Sequence, residues 1–145
     1  MAKEIKTEII INVMPEKIWA VLTSFDNYPN WNPFIKSIKG EVKVGNTITV
    51  RLEPPGAKGM TFKPHVLAFE TNKEILWIGH LLFPGLFDGE HKFELIDNGN
   101  GTTTFKQSEI FGGVLVPLFK KMLDDNTKKG FEEMNIKLKE SAELK

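Results

Sequence analysis

Cysteine is absent from the chain, which removes disulfide frameworks, thiol nucleophiles and thiolate metal sites together. Arginine is nearly absent. Arg51 stands alone among 19 basic residues, which argues against recognition of phosphate by paired guanidinium bonds. Net charge is missing too, because 19 Lys and Arg balance 19 Asp and Glu, so no long-range field recruits nucleic acid. No apolar run reaches the length of about 18 residues that a membrane span needs. The stretch Met1-Ala2-Lys3-Glu4-Ile5-Lys6-Thr7 is charged, and Ile9-Ile10-Ile11 is too short for a signal-peptide core. The expectation is a soluble cytoplasmic protein. Histidine is scarce: His65, His80 and His91 show no H-x-x-x-H spacing, and neither a metal nor a cofactor is expected. A facial set of His65, His91 and Glu109 would require His65 to share an inward face with Leu67 and Phe69, and Pro64 interrupts that phase.

What the chain does have is a strongly patterned hairpin. Gly89-Glu90-His91-Lys92-Phe93-Glu94-Leu95 and Thr103-Thr104-Phe105-Lys106-Gln107-Ser108-Glu109-Ile110-Phe111 flank Asp97-Asn98-Gly99-Asn100-Gly101. Alternation along a strand puts His91, Phe93 and Leu95 on one face, and Phe105, Gln107, Glu109 and Phe111 on the matching face. A three-residue connection with Gly101 in the left-handed region pairs Asn98 with Thr102. That register sets Leu95 opposite Phe105, Phe93 opposite Gln107, and His91 opposite Glu109. An imidazole and a carboxyl group then meet on the apolar side of a sheet, where burial is costly unless they are partnered. Such a pair suggests the polar floor of a cavity.

The rest of the chain supplies the enclosure. Residues 4–13 read as a strand, and Pro15 opens a helix carrying Ile18, Trp19, Val21, Leu22 and Phe25. Tyr28-Pro29-Asn30-Trp31-Asn32-Pro33-Phe34 holds two prolines and reads as a short helical turn or wrapped loop. Residues 35–42, 47–52, 60–69 and 74–80 read as strands, with Glu53-Pro54-Pro55-Gly56-Ala57-Lys58-Gly59 as a loop. The final segment changes period: Leu115, Phe119, Met122, Leu123, Thr127, Phe131, Met134 and Leu138 form one helical stripe. A single α+β domain over residues 1–145 follows, in which an antiparallel sheet of six to seven strands curls around a long C-terminal helix. Curling of that kind leaves room for an internal cavity. Its interior would be built from Trp31, Phe34, Val50, Trp77, Phe93, Phe105, Phe111, Phe119, Leu123 and Phe131.

The element order, the Pro15…Ile18-Trp19 helix start, Trp31-Asn32-Pro33-Phe34, Gly89-Glu90-His91-x-Phe93 and Glu109-x-Phe111-x-Gly113 together resemble the START-like (SRPBCC) superfamily. Within it the chain is similar to bacterial polyketide cyclase/dehydrase-like members. The resemblance implies a helix-grip fold with a hydrophobic cavity. It also implies a ligand such as a lipid, sterol, polyketide or hormone, with catalysis in a minority of members.

Three uses of the His91–Glu109 pair are open: a structural tie between strands, ligand recognition, or acid–base chemistry. The favoured reading is binding of a small, mainly apolar molecule. His91, Glu109 and Gln107 would make its polar contacts, and Trp31, Phe34, Trp77, Phe93, Phe105, Phe119 and Leu123 would form the walls. The alternative is a cyclase- or dehydrase-type enzyme with His91 as base and Glu109 as its orienting partner. A third reading is an interaction module with a filled core. Leu81-Leu82-Phe83-Pro84-Gly85-Leu86-Phe87 is more apolar than a surface turn needs. It would fold onto the core, form a lip over the cavity, or pair two copies in a homodimer.

Overall fold

The computed structural model describes residues 2–144, beginning with strand β1 (Lys3–Ile11) and helix α1 (Pro15–Leu22). Pro15 sits in the first turn, where its missing N–H would have had no helical partner. Phe25 falls beyond the end of α1, in a 3-10 turn (Phe25–Asn27), and the two-proline segment opens with the single-turn α2 (Tyr28–Trp31). Asn32 then turns the chain, its Oδ1 accepting from the backbone N–H of Phe34 (2.9 Å) and of Ile35 (2.8 Å). The strands that follow are β2 (Ile35–Lys39), β3 (Thr49–Leu52), β4 (Met60–Phe62), β5 (His65–Glu70), β6 (Glu74–His80), β7 (Asp88–Asp97) and β8 (Thr103–Gly112). The closing helix runs without a break through α3 (Val116–Met122), a π turn (Leu123–Thr127) and α4 (Lys128–Glu143).

The strands form a curved antiparallel sheet in two sections, β1-β8-β7-β6-β5 and β2-β3-β4. There are eight strands because residues 60–69 are two strands and not one. Pro64 is the cause: it has no N–H to give a ladder, and the chain passes from one section to the other there. The sections stay joined by the Thr47–His65 bridge, by Ile48 N–H to Pro64 O (3.0 Å) and by Val66 N–H to Asn46 O (2.9 Å).

The hairpin has the register expected from its alternation. Leu95 faces Phe105, Phe93 faces Gln107 and His91 faces Glu109. Asn98 N–H bonds Thr102 O at 3.0 Å, with Gly101 at φ 87°. Helix α4 lies against β1 and α1, burying Phe131, Met134 and Leu138 together with Ile5, Ile11, Ile18 and Leu22. Its far end is tied by Asn12 N–H to Glu143 Oε2 (2.8 Å) and Lys139 Nζ to Ile10 O (3.1 Å). The result is the helix-grip fold.

Two histidines lie away from the cavity's polar wall. His65 is exposed and bonds Thr47 Oγ1 at 2.7 Å, because Val66 and not His65 takes the inward place in β5. The facial set with His91 and Glu109 is therefore not formed. His80 is half-buried: its Nδ1 lies 2.7 Å from Asp88 Oδ1, across the β6–β7 ladder. Asp88 in turn accepts from Gly85 N–H (3.1 and 3.0 Å) and shapes the 81–87 loop. That loop is split in its burial. Phe87 packs on Phe111, whereas Leu82 (86% exposed, φ 65°) and Phe83 (58% exposed) point outward.

Candidate functional site

His91 is 3% exposed and sits mid-sheet, with Trp77 on one neighbouring strand and Glu109 on the other. Its ring stacks on Trp77 (centroids 5.5 Å apart, 22° between planes) and meets the edge of Phe131 at 5.1 Å. Both ring nitrogens are occupied. Nδ1 lies 2.9 Å from Glu109 Oε1, and Nε2 lies 2.9 Å from Gln107 Oε1.

The hydrogen-bond polarity of this cluster is fixed by two backbone carbonyls, which can only accept. Thr7 Oγ1 donates to Gln107 O (2.9 Å), so it must accept from Asn135 Nδ2 (2.8 Å). Asn135 Oδ1 then faces Gln107 Nε2 (2.9 Å), which also donates to Phe131 O (3.4 Å). The Gln107 amide is thereby oriented with its oxygen toward His91, and His91 Nε2 must carry a hydrogen. One further proton is shared between Nδ1 and Glu109 Oε1. A chain of side chains thus runs from helix α4, across the sheet, to one oxygen of Glu109.

The other oxygen of Glu109 lies over Gly89. A Cβ on residue 89 would lie well inside van der Waals contact distance of Glu109 Oε2 and sit 3.6 Å from the Phe111 ring. Gly89 faces Gly79 across the β6–β7 ladder, so the inward row beyond Trp77–His91–Glu109 holds two positions with no side chain. Space opens there. A cavity of about 70 Å³ lies under the π turn. Its floor is Trp77, Gly79, Gly89, His91, Glu109 and Phe111. Val50, Leu52, Met60, Phe62 and Phe34 form one side, and Met122, Leu123 and Thr127 form the roof. Pro54, Lys58 and Phe87 also line it, and Asn126 Nδ2 bonds Pro55 O (2.8 Å) between the roof and the 53–59 loop.

Of the residues expected around a ligand, Phe34, Trp77, His91, Glu109 and Leu123 meet at this cavity. The others sit elsewhere. Phe93, one row deeper, and Phe105, two rows deeper, stack on each other (5.9 Å) and are fully buried. Gln107 is buried behind His91, bonded to α4. Phe119 packs on the outer side of Phe87 (5.2 Å), and Trp31 packs on Tyr28 (5.2 Å) in α2. Sequence reading overlooked Asn135, Thr7, Gly79 and Gly89. Asn135 has a visible signal, four residues after Phe131 on the apolar stripe, and two glycines on inward strand positions are another. Among the described residues no group of three His, Asp or Glu side chains is placed to hold a metal ion, and no helix is long and apolar enough to cross a membrane.

The fold is shared with solved structures of low sequence identity. The Zhui aromatase/cyclase from Streptomyces sp. R1128 superposes with a TM-score of 0.79 at 11% identity, covering 99% of this chain and 94% of that one. Norcoclaurine synthase from Thalictrum gives 0.71 at 14% identity, over 98% and 94%. Ara h 8.0201 gives 0.64 at 17% identity, over 95% and 98%. Comparison with curated proteins gives no match. The family model for polyketide cyclase/dehydrase and lipid transport matches residues 2–143, and the chain belongs to that family.

Proposed function

We propose that the protein binds a small, mainly apolar molecule in the cavity beneath the π turn. The observation that carries this reading is a mainly apolar chamber whose floor holds the polar His91–Glu109 pair. A pocket of that kind takes up apolar bodies and uses a few polar groups to orient them. The lining supports an apolar body for the ligand, with Phe34, Val50, Leu52 and Phe62 on one side and Met122 and Leu123 above. Membership of a family described by cyclase, dehydrase and lipid-transport activities supports the same class of ligand. A cyclase- or dehydrase-type activity is the second reading, favoured by a carboxyl group held against an imidazole at the cavity floor.

Native mass spectrometry of protein purified from its own host tests binding. A small, mainly apolar molecule, released only on denaturation, is the expected result. A protein that stays empty both as isolated and after exposure to saturating small aromatic compounds overturns the proposal. The second reading parts from the first in Glu109→Gln, which would keep the bound molecule but stop proton transfer.

A further inference from the structure

We infer that Glu109 Oε2 is the atom that meets the ligand and that His91 is its positioning residue. We further infer that the ligand carries a hydrogen-bond donor, such as a phenol, enol or amine, on its apolar body. This rests on the ligand-binding reading above. His91 has no nitrogen to offer: Nε2 is spent on Gln107 and Nδ1 on Glu109. Glu109 has one oxygen left. Oε1 faces His91, whereas Oε2 receives no hydrogen bond among the described residues, and the 14% of the side chain still exposed belongs to a residue lining the cavity.

The chemical character of Oε2 follows from the proton count. His91 Nε2 already holds one hydrogen, and a second lies between Nδ1 and Oε1. Should that proton rest on the ring, Oε2 belongs to a carboxylate. Should it rest on Oε1, Oε2 is the carbonyl oxygen of a carboxylic acid. In both placements Oε2 has only lone pairs to present. A ligand that brings a bare ketone or ether oxygen there sets lone pair against lone pair, whereas a donor completes the chain that begins at Thr7. The roles are thus the reverse of those of a histidine base with a carboxylate behind it. The polar chain from α4 aims His91, His91 aims Glu109, and Glu109 makes the contact. Gly89 is the sterically required part of this arrangement, since any side chain there would push Oε2 off its position.

Two isosteres that differ only in the donor, 4-methylphenol and p-xylene, test this by calorimetric titration of the wild type, Gly89→Ala and Glu109→Leu. The readout is the ratio of the two affinities. Wild type is expected to favour 4-methylphenol, relative to each variant, by about tenfold, the usual scale of a charge-assisted bond. Gly89→Ala keeps every polar group and changes only where Oε2 lies, so it guards against a Glu109→Leu chain that fails to fold. In the wild type, 15N spectra of His91 should show Nδ1 moving on addition of 4-methylphenol but not of p-xylene. A merely structural His91 would leave Nδ1 still for both and would overturn its positioning role. A ratio unchanged in both variants, with both probes binding, overturns the inference and leaves the cavity reading intact. Failure of both probes to bind the wild type overturns the cavity reading and the inference with it.

Discussion

Replacing Asn135 by leucine sets two strong trends against each other. Asn135 is 3% exposed, on the apolar face of α4, between Phe131 and Leu138. Leucine has the same number of side-chain heavy atoms, forms helix better by about 0.5 kcal/mol, and adds apolar burial of about 1 kcal/mol. Judged by packing alone, the change should stabilise. The hydrogen bonds say otherwise. Asn135 accepts from Gln107 Nε2 at 2.9 Å and donates to Thr7 Oγ1 at 2.8 Å. Its loss leaves one buried amide hydrogen of Gln107 without an acceptor, at about 2 kcal/mol, and forfeits the Thr7 bond, at about 1 kcal/mol. The balance is a destabilisation of about 1.5 kcal/mol, or a Tm lower by about 5 °C for a domain of this length. Urea denaturation followed by tryptophan fluorescence, with a parallel calorimetric scan, reads both quantities. A Tm at or above wild type would refute the reasoning, since it would mean that the chain to His91 is not satisfied in the way the two backbone carbonyls dictate.

Tyr28 is the only tyrosine, is fully buried, and gives its hydroxyl to Leu22 O at 2.5 Å; burial pushes its phenol pKa far above the ordinary value. A folded-state pKa above the unfolded one contributes stability below about pH 10 that is lost as pH rises beyond it, at about 1.4 kcal/mol per pH unit. Absorbance at 295 nm should therefore show no tyrosinate until the protein unfolds, and Tyr28→Phe should flatten the alkaline limb. Gly130→Ala would bring a Cβ to 2.5 Å from Phe34 Cδ1, whose ring is held edge-on by Phe131. Overpacking at about 2 kcal/mol outweighs a helix gain of about 1 kcal/mol, so the variant should melt lower. In the acid range, the hydrogen bond from Lys3 holds the Asp124 carboxyl below its ordinary value, as Lys139 does for Glu143. The stability these pairs contribute is present above about pH 4 and lost as pH falls through the folded values. The gap between wild type and Asp124→Asn in denaturant titrations should accordingly close between pH 7 and pH 3, and narrow in high salt.

The elements that were legible in the sequence are those in which local chemistry and long-range packing agree. The β7–β8 register could be read because a period of two on both arms and a left-handed Gly101 each demand the same pairing. The closing stripe could be read because Phe131, Met134 and Leu138 meet the core at helical spacing. The wall of the cavity was harder, because alternation tells which face a residue takes and not how far along the strand the void lies. Phe93 and Gln107 face inward just as His91 does but one row deeper, and Phe105 two rows deeper, where the core is filled. Phe119 and Trp31 are apolar for a different reason, each finishing an aromatic pair outside the chamber. The partner that orients Gln107 comes from 28 residues further along the chain, and no local pattern announces it.

Three departures from regular patterning converge on one place. Pro64 ends a strand in mid-run and passes the chain from one sheet section to the other. Gly79 and Gly89 face each other where large inward side chains would otherwise fill the grip. The helix above them widens into a π turn from Leu123 to Thr127. The spacing of the stripe explains the last of these. Leu123, Thr127 and Phe131 recur every four residues, longer than the 3.6 of an α-helix, and the extra residue in a π turn keeps all three on the inner face. Each departure forfeits local stability: a ladder bond at Pro64, side-chain packing at the glycines, ideal hydrogen bonds in the π turn. Pro64, Gly79, Gly89, Leu123 and Thr127 all line the same cavity. A chain selected only to fold would be expected to scatter such departures. Their coincidence around Glu109 is what a binding chamber requires, because a void with a polar wall has to be kept open against the packing of everything around it.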